Sequence, residues 1–374
     1  MMNTKLIGFR PTWAEVNLKN LEHNLSQVRK VIGKGVKIMV TIKADAYGHG
    51  LIPLAKKLQQ GKVDYFGVAS IDEGIKLRQA GIKLPILVLG VVLKEHVRAL
   101  LKHNLQATVA DFEFARALSK IASRLKMPAV VHLKVDTGMG RIGLAHSRAF
   151  ELIKKIHGLD FIKIEGIFTH FPLADFNQDF TESQISAFYG LVEELRSSGI
   201  RIPLAHAANS SGLARHRKGH FNMVRPGLII YGLYPTGLPK VNLKPLLSLK
   251  TKIVFVKRVP KDSGISYGLT YITKKDTTVV TLPIGYGDGY PRNLSNLGPV
   301  LIKGKRFTIS GRVCMDQVMV DVSDTQVRVG DEAVLIGRQG KHKITTEELA
   351  QLSATIPYEI VCGLGSRIPR VYID

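Results

Sequence analysis

Lys43 stands at the middle of the stretch KIMVTIKADAYGHG, Lys37 to Gly50, where it ends an apolar, partly β-branched run of Ile38, Met39, Val40 and Ile42. Such a run predicts a short buried strand, with the lysine at its C-terminal end. Gly48 and Gly50 then bend the chain before a helical pattern resumes at Leu51. Partial desolvation at a strand end disfavours an ammonium and prepares the amine as a nucleophile or Schiff-base donor. A strand-edge lysine that snorkels to water is the competing reading, and this stretch alone leaves both open.

Other chemically able residues recur among glycines. GMGRIG, Gly138 to Gly143, matches the dinucleotide pattern GxGxxG, but Lys134, Asp136 and Arg141 are the wrong company for it. A guanidinium in a glycine loop suits a small carboxylate or phosphate, which it can grip with two parallel hydrogen bonds. Arg225 in NMVRPG is followed by Pro226 and Gly227, where backbone can approach an anion closely. Asn209 and Ser210 in HAANSSG either cap a short helix or hold an anion. His170 in FTHF is a lone histidine, and the twelve histidines form no HExxH-type cluster, so no catalytic metal is expected. SYG at Ser266–Gly268, IGYGDGYPR at Ile284–Arg292 and GRVCMDQ at Gly311–Gln317 are either ordinary turns or loops that reach a site.

The elements that must position these residues fall into two textures. From Lys37 to about Ile230, apolar runs alternate with helical patterns, which predicts βα units and a parallel sheet. Strands are expected near residues 37–42, 65–69, 86–89, 106–109, 129–135, 162–169 and 204–208, and in two fragments at 223–224 and 228–230. Eight such strands predict a (β/α)8 TIM-like barrel, and the polar residues above cluster at their C-terminal ends, where barrel chemistry gathers. An open doubly wound sheet is the structural alternative. The segment TWAEVNL and the helical pattern Leu18–Ile32 precede the first barrel strand and are expected to cover one mouth or edge. After Tyr231, strand-like runs follow one another with one helical interruption, Thr345–Ser353, which predicts a mostly antiparallel C-terminal β domain. The expected division is 1–240 for the barrel and 241–374 for the β domain, linked by YPTGLPK, Tyr234–Lys240.

Composition narrows the class. The chain has 374 residues, enough for one large domain and a smaller one. It has no apolar run of membrane-spanning length and no secretory pattern at its start, so a cytoplasmic protein without a membrane partner is expected. Two cysteines, Cys314 and Cys362, cannot build a disulfide framework. Lys and Arg outnumber Asp and Glu by 53 to 30, a net charge of +23. The basic residues are scattered, and the one dense run, Arg215–His220, lacks interleaved aromatics, so nucleic acid is not an expected partner.

KADAYGHG, VDTGMGRIG, FTHF, HAANSSG, RPGLIIYG, SYG, IGYGDGYPR, GRVCMDQ, PYE and RIPR run in one order from Lys43 to Arg370, and in this the sequence resembles the alanine racemases. The resemblance implies a barrel plus a β domain, and a homodimer whose active site is shared between subunits. It implies pyridoxal 5'-phosphate as cofactor, bound to Lys43 as a Schiff base. Lys43 and Tyr267, the latter from the partner subunit, would be the two bases that exchange the α-proton of alanine on opposite faces. His170 would link Tyr267 to Arg225, and Arg225 would face the pyridine nitrogen. Tyr47, Asn209, Ser210, Tyr358 and the backbone of Gly227 and Leu228 would complete the cofactor site. Arg141 and the partner's Met315 would meet the substrate carboxylate. Lys134 can be carbamylated in this family, pairing with Arg141. The implied activity is interconversion of L- and D-alanine for bacterial cell-wall precursors. A racemase of another amino acid, such as serine or lysine, is the first alternative, and a decarboxylase of the related barrel fold the second.

Overall fold

The computed structural model describes residues 9–235 and 241–374. Strand β1 (Thr12–Asn17) leads into helix α1 (Leu18–Ile32). The side chain of Asn17 accepts the Asn20 N–H and caps α1, whose Leu21, Leu25, Val28 and Ile32 recur at helical spacing and are buried. Eight strands then alternate with helices: β2 (Lys37–Thr41), β3 (Tyr65–Val68), β4 (Ile86–Val88), β5 (Gln106–Val109), β6 (Ala129–Asp136), β7 (Ile162–Phe168), β8 (Leu204–His206) and β9 (Met223–Val224). Every neighbouring pair is parallel, and the pairings of β5 with β6 and of β9 with β2 close the sheet into a barrel. The two-residue period divides each strand. On β6, Val131, Leu133 and Val135 join the apolar layer beneath the helices, whereas His132 and Lys134, also buried, share the opposite face.

Leu228–Tyr231 is a 3-10 turn, not the expected strand fragment. Pro226 has no N–H to give a ladder, and Gly227 at φ −117, ψ −98 leaves the strand conformation. The short last strand therefore ends at Val224, and a turn rather than a strand forms its part of the barrel rim.

The second domain contains a seven-stranded sheet built around β10 (Leu247–Lys252), β13 (Pro299–Ile302), β14 (Lys305–Thr308), β16 (Glu332–Gln339) and β17 (Arg370–Ile373). A three-stranded antiparallel sheet is made of β11 (Phe255–Val259), β12 (Thr277–Leu282) and β15 (Val318–Ser323). Residues 247–259 thus contribute two strands to different sheets. Strand β1 does not cover a barrel mouth: it lies between β10, antiparallel, and β17, parallel. Ala14 and Val16 share one face of this strand, and along it the first packs in the β-domain core and the second in the barrel core, so the strand bridges the two cores. Part of the expected linker and the 240/241 division fall at residues 236–240, outside the described residues. Helix α9 (Thr346–Leu352) matches its pattern, and a further helix, α10 (Pro357–Gly363), carries Tyr358 back toward the barrel.

Candidate active site

The sequence after Lys43 makes an unusual turn. Ala44, Asp45, Ala46 and Tyr47 all have φ of 52 or 53, a left-handed turn of four non-glycine residues. Each such residue costs about 1–2 kcal/mol relative to a right-handed one, so surrounding groups must hold the turn. They do so from both domains. Glu73 accepts the Ala44 N–H at 2.7 Å, and Asp45 accepts the Leu51 N–H at 2.8 Å. His49 Nδ1 donates to the Tyr47 carbonyl at 2.7 Å, and Arg370 Nε donates to the Gly48 carbonyl at 2.9 Å. His49 is fully buried, and burial pushes its pKa down to about 4, so it stays neutral and keeps this donor role.

Lys43 opens into a cavity of about 670 Å³ at the C-terminal ends of the barrel strands. Burial lowers its pKa, Arg141 lowers it further, and Glu73 opposes both. Lys134 lines the same cavity at 1% exposure, and burial, then Arg225, pushes its pKa down to about 7. Asp136, the nearest acid by sequence, is spent on the glycine loop: its carboxylate accepts N–H groups of Gly138, Met139 and Gly140. Although burial opposes ionisation, these bonds hold its pKa below the ordinary carboxylate value. GMGRIG is thus a loop folded around its own aspartate, with Arg141 left facing the cavity.

Arg225 is 4% exposed and its guanidinium meets only neutral acceptors. Nη1 donates to His206 Nδ1 at 2.7 Å, and Nη2 reaches the carbonyls of Thr169 and Ala207 at 2.7 and 2.8 Å and His170 Nδ1 at 3.2 Å. A guanidinium cannot accept, so both histidines must accept at Nδ1 and carry their protons on Nε2. His206 Nε2 then donates to His132 Nδ1 at 2.9 Å, and His132 Nε2 donates to Gln106 Oε1 at 3.0 Å. Burial and then Arg225 lower the pKa of all three histidines, that of His132 to about 3, which keeps the chain neutral and its donor direction fixed. The Nε2–H of His170, a residue that lines the cavity, meets no acceptor among the described residues. Neither His132 nor His206 stood out in the sequence, because each sits in an ordinary strand pattern and only barrel closure brings them together.

Ser210 opens helix α8 (Ser210–Arg215), and its Oγ accepts the N–H groups of Gly227 at 3.0 Å and Ile229 at 3.4 Å. The Leu228 N–H meets no acceptor among the described residues. A side chain on Gly227 would begin 2.8 Å from the Tyr47 hydroxyl, so glycine keeps this corner open. Tyr358 stands beside Tyr47, ring centres 5.7 Å apart. Asn209 borders the cavity, but its side chain caps α8 through the Gly212 N–H and donates to the Phe171 carbonyl. Phe168, Leu89, Val91 and Cys362 also line the cavity and were not distinguishable in sequence from core or turn residues.

Ten of the expected residues therefore meet around one cavity: Lys43, Tyr47, Lys134, Arg141, His170, Asn209, Ser210, Arg225, Gly227 and Tyr358. Leu228 lies buried directly behind its rim. Tyr267 and Met315 do not join them. They sit on β-domain loops, 71% and 53% exposed.

Comparison with known proteins agrees with this architecture. The family descriptions "Alanine racemase, N-terminal domain" and "Alanine racemase, C-terminal domain" match residues 16–235 and 246–372. The alanine racemase of Halothermothrix orenii is 47% identical over 367 residues, 97% of each chain. That of Carboxydothermus hydrogenoformans is 47% identical over 97% of this chain and 100% of its own. Among solved structures, alanine racemase from Clostridium difficile 630 superposes with a TM-score of 0.93 at 41% identity, covering 97% and 96% of the two chains. The Bacillus anthracis alanine racemase with bound L-Ala-P does so with a TM-score of 0.92 at 36% identity, covering 98% and 96%. With the barrel, the β domain and the cation-lined cavity in place, the chain belongs to the alanine racemase family, and it is an amino-acid isomerase.

Proposed function

We propose that the chain racemises alanine with pyridoxal 5'-phosphate held in the cavity, and that two copies share their sites. The observation that carries the cofactor is a cavity with four basic side chains, Lys43, Lys134, Arg141 and Arg225, and no carboxylate among its lining residues. Such a site suits a ligand that brings its own negative charge. The residues fit the cofactor group by group. Lys43 supplies an amine whose pKa is lowered by burial. Tyr47, Ser210, Tyr358, Gly227 and the unpaired Leu228 N–H form a neutral polar corner suited to phosphate oxygens. Arg225 presents a cation that cannot give up its proton to the ring nitrogen at neutral pH.

Bound there, pyridoxal phosphate supplies the electron-withdrawing system that makes the α-proton of alanine labile. The chain's residues do the rest. Lys43 Nζ moves a proton on one face of the substrate carbon. Tyr267 Oη of a second copy moves it on the other, oriented by the Nε2–H of His170. Arg141, with the second copy's Met315, holds the carboxylate. Two groups on opposite faces are what inversion without net chemistry requires. The exposure of Tyr267 and Met315 supports a second copy as the occupant of that surface. No helix among the described residues is long and apolar enough to cross a membrane.

Incubation with L-alanine and pyridoxal phosphate, followed by chiral analysis, is expected to yield equal amounts of both enantiomers. Borohydride is expected to fix the cofactor on Lys43. Label on another lysine, or carbon dioxide release without D-alanine, would sink the assignment.

A further inference from the structure

We propose that Asp288, gripped by Arg10 and Arg367, is a positioning residue for the backbone of Met315, and that it serves the active site of the neighbouring copy rather than that of its own chain. The assignment rests on the shared-site reading above.

Asp288 closes the 3-10 turn Tyr286–Asp288 in the IGYGDGY loop and is completely buried. Its carboxylate takes both terminal nitrogens of Arg10, the one to Oδ2 at 2.7 Å, and the Gly285 N–H at 2.9 Å. Arg367 Nε stands 3.4 Å from Oδ1. Both guanidiniums then reach past it to the same residue. Arg10 Nη2 donates to the Asp316 carbonyl at 2.9 Å, and Arg367 Nη2 to the Asp316 carboxylate at 2.6 Å.

The loop carrying Asp288 also grips the residues before Asp316. The Tyr286 N–H donates to the Cys314 carbonyl at 3.0 Å and the Gly287 N–H to the Met315 carbonyl at 2.9 Å. A Cβ on Gly285 would lie 2.2 Å from the Cys314 carbonyl oxygen, and one on Gly287 3.0 Å from the Met315 carbonyl oxygen, so the two loops meet backbone to backbone. The carbonyls of Cys314, Met315 and Asp316 are thus all taken, whereas the N–H groups of Met315 and Asp316 meet no acceptor among the described residues. The result is a loop pinned through its carbonyls, with the Met315 N–H among the donors left for a partner.

None of Arg10, Asp288, Met315, Asp316 and Arg367 lines the cavity that contains Lys43. For stability alone, burying the Asp288 carboxylate against two partly exposed arginines is a poor choice, because its desolvation offsets much of what the ion pairs return. A cluster whose bonds converge on either side of a free N–H is instead suited to fixing where that N–H points.

Hybrid dimers separate the two roles. In each, one chain carries Lys43→Ala, so a single site works, with Lys43 from one chain and Met315 from the other. Placing Arg367→Gln on the Lys43→Ala chain alters the mount of the working site. Placing it on the other chain alters only the mount of the dead site. The first hybrid is expected to show a KM for alanine raised about tenfold, the scale of a weakened hydrogen bond to a charged group, and the second the KM of the unmutated hybrid. Asp288→Asn, a nearly isosteric change, is expected to reproduce the asymmetry. Equal KM values in the two placements, both raised or both unchanged, would overturn the assignment. A hybrid of Lys43→Ala with Tyr267→Phe that has no activity after verified exchange would instead remove the shared site itself, and this role with it.

Discussion

Lys134 is a residue whose charge the barrel does not want. It is 1% exposed, donates to the carbonyl of Val135, and shares its cavity with Arg141 and Arg225. With its pKa pushed from 10.5 to about 7, a large fraction of the amine is neutral at physiological pH, the form that adds to carbon dioxide. A carbamate there would turn a cation into an anion beside Arg141. With labelled bicarbonate, a carbamate carbon signal is expected that Lys134→Ala abolishes; its absence from the parent protein would refute the modification. In buffer free of carbon dioxide the sign of the linkage is fixed. Between about pH 7 and 10.5 the unfolded chain holds a proton on Lys134 that the folded chain has released, so this residue makes stability rise with pH. Melting temperatures of the parent and of Lys134→Met should therefore converge or cross in the direction favouring the parent as pH rises through that window.

At the scale of elements, the left-handed turn Ala44–Tyr47 is what aims Lys43, and it is held by contacts from the second domain. Gly48, at φ +75, would place a Cβ 2.1 Å from the carbonyl oxygen of Val361 in α10. Gly48→Ala must therefore push α10, with Tyr358 and Cys362, away from the lysine. The expected result is a fall in cofactor affinity of about tenfold or more, with less effect on the far-UV spectrum, read by titrating pyridoxal phosphate into cofactor-free protein. Unchanged affinity would show that the turn does not need α10. This element was only half legible in sequence. The strand before Lys43 and the glycines after it could be read from apolar run and punctuation. Ala, Asp, Ala and Tyr have no left-handed preference, and their conformation comes from Glu73, Arg370 and Val361, distant in sequence. The barrel strands were legible for the opposite reason: their apolar runs and intervening helices are local. The placement of β1 was not, since its partners β10 and β17 lie more than two hundred residues away and the pattern TWAEVN marks a strand without naming its sheet. Likewise, Arg225 was visible beside its proline, but the His206–His132–Gln106 chain behind it exists only once β5 to β9 are assembled, with Gly166 of β7 leaving room between the two histidines.

At the scale of the whole molecule, the proposed sharing makes the site of one chain incomplete by itself. Lys43 and its cavity lie in the barrel, while Tyr267 projects from a turn in which Ser266 and Gly268 both take positive φ, and it is 71% exposed. A tyrosine held on so constrained a turn and left in solvent is costly unless something receives it. In a closed two-fold pair each copy would receive the other's loop, giving two equivalent sites that each draw on both chains. Lys43→Ala and Tyr267→Phe should each be inactive alone. After subunit exchange about half of the dimers are mixed, and each mixed dimer has one site with both bases, so about a quarter of the parent activity should return. Recovery should follow the kinetics of exchange, and chemically cross-linked parental dimers, which cannot exchange, should stay inactive. Recovery in the cross-linked mixture, or none after exchange confirmed by mass, would mean that Lys43 and Tyr267 do not work in one site across the two chains.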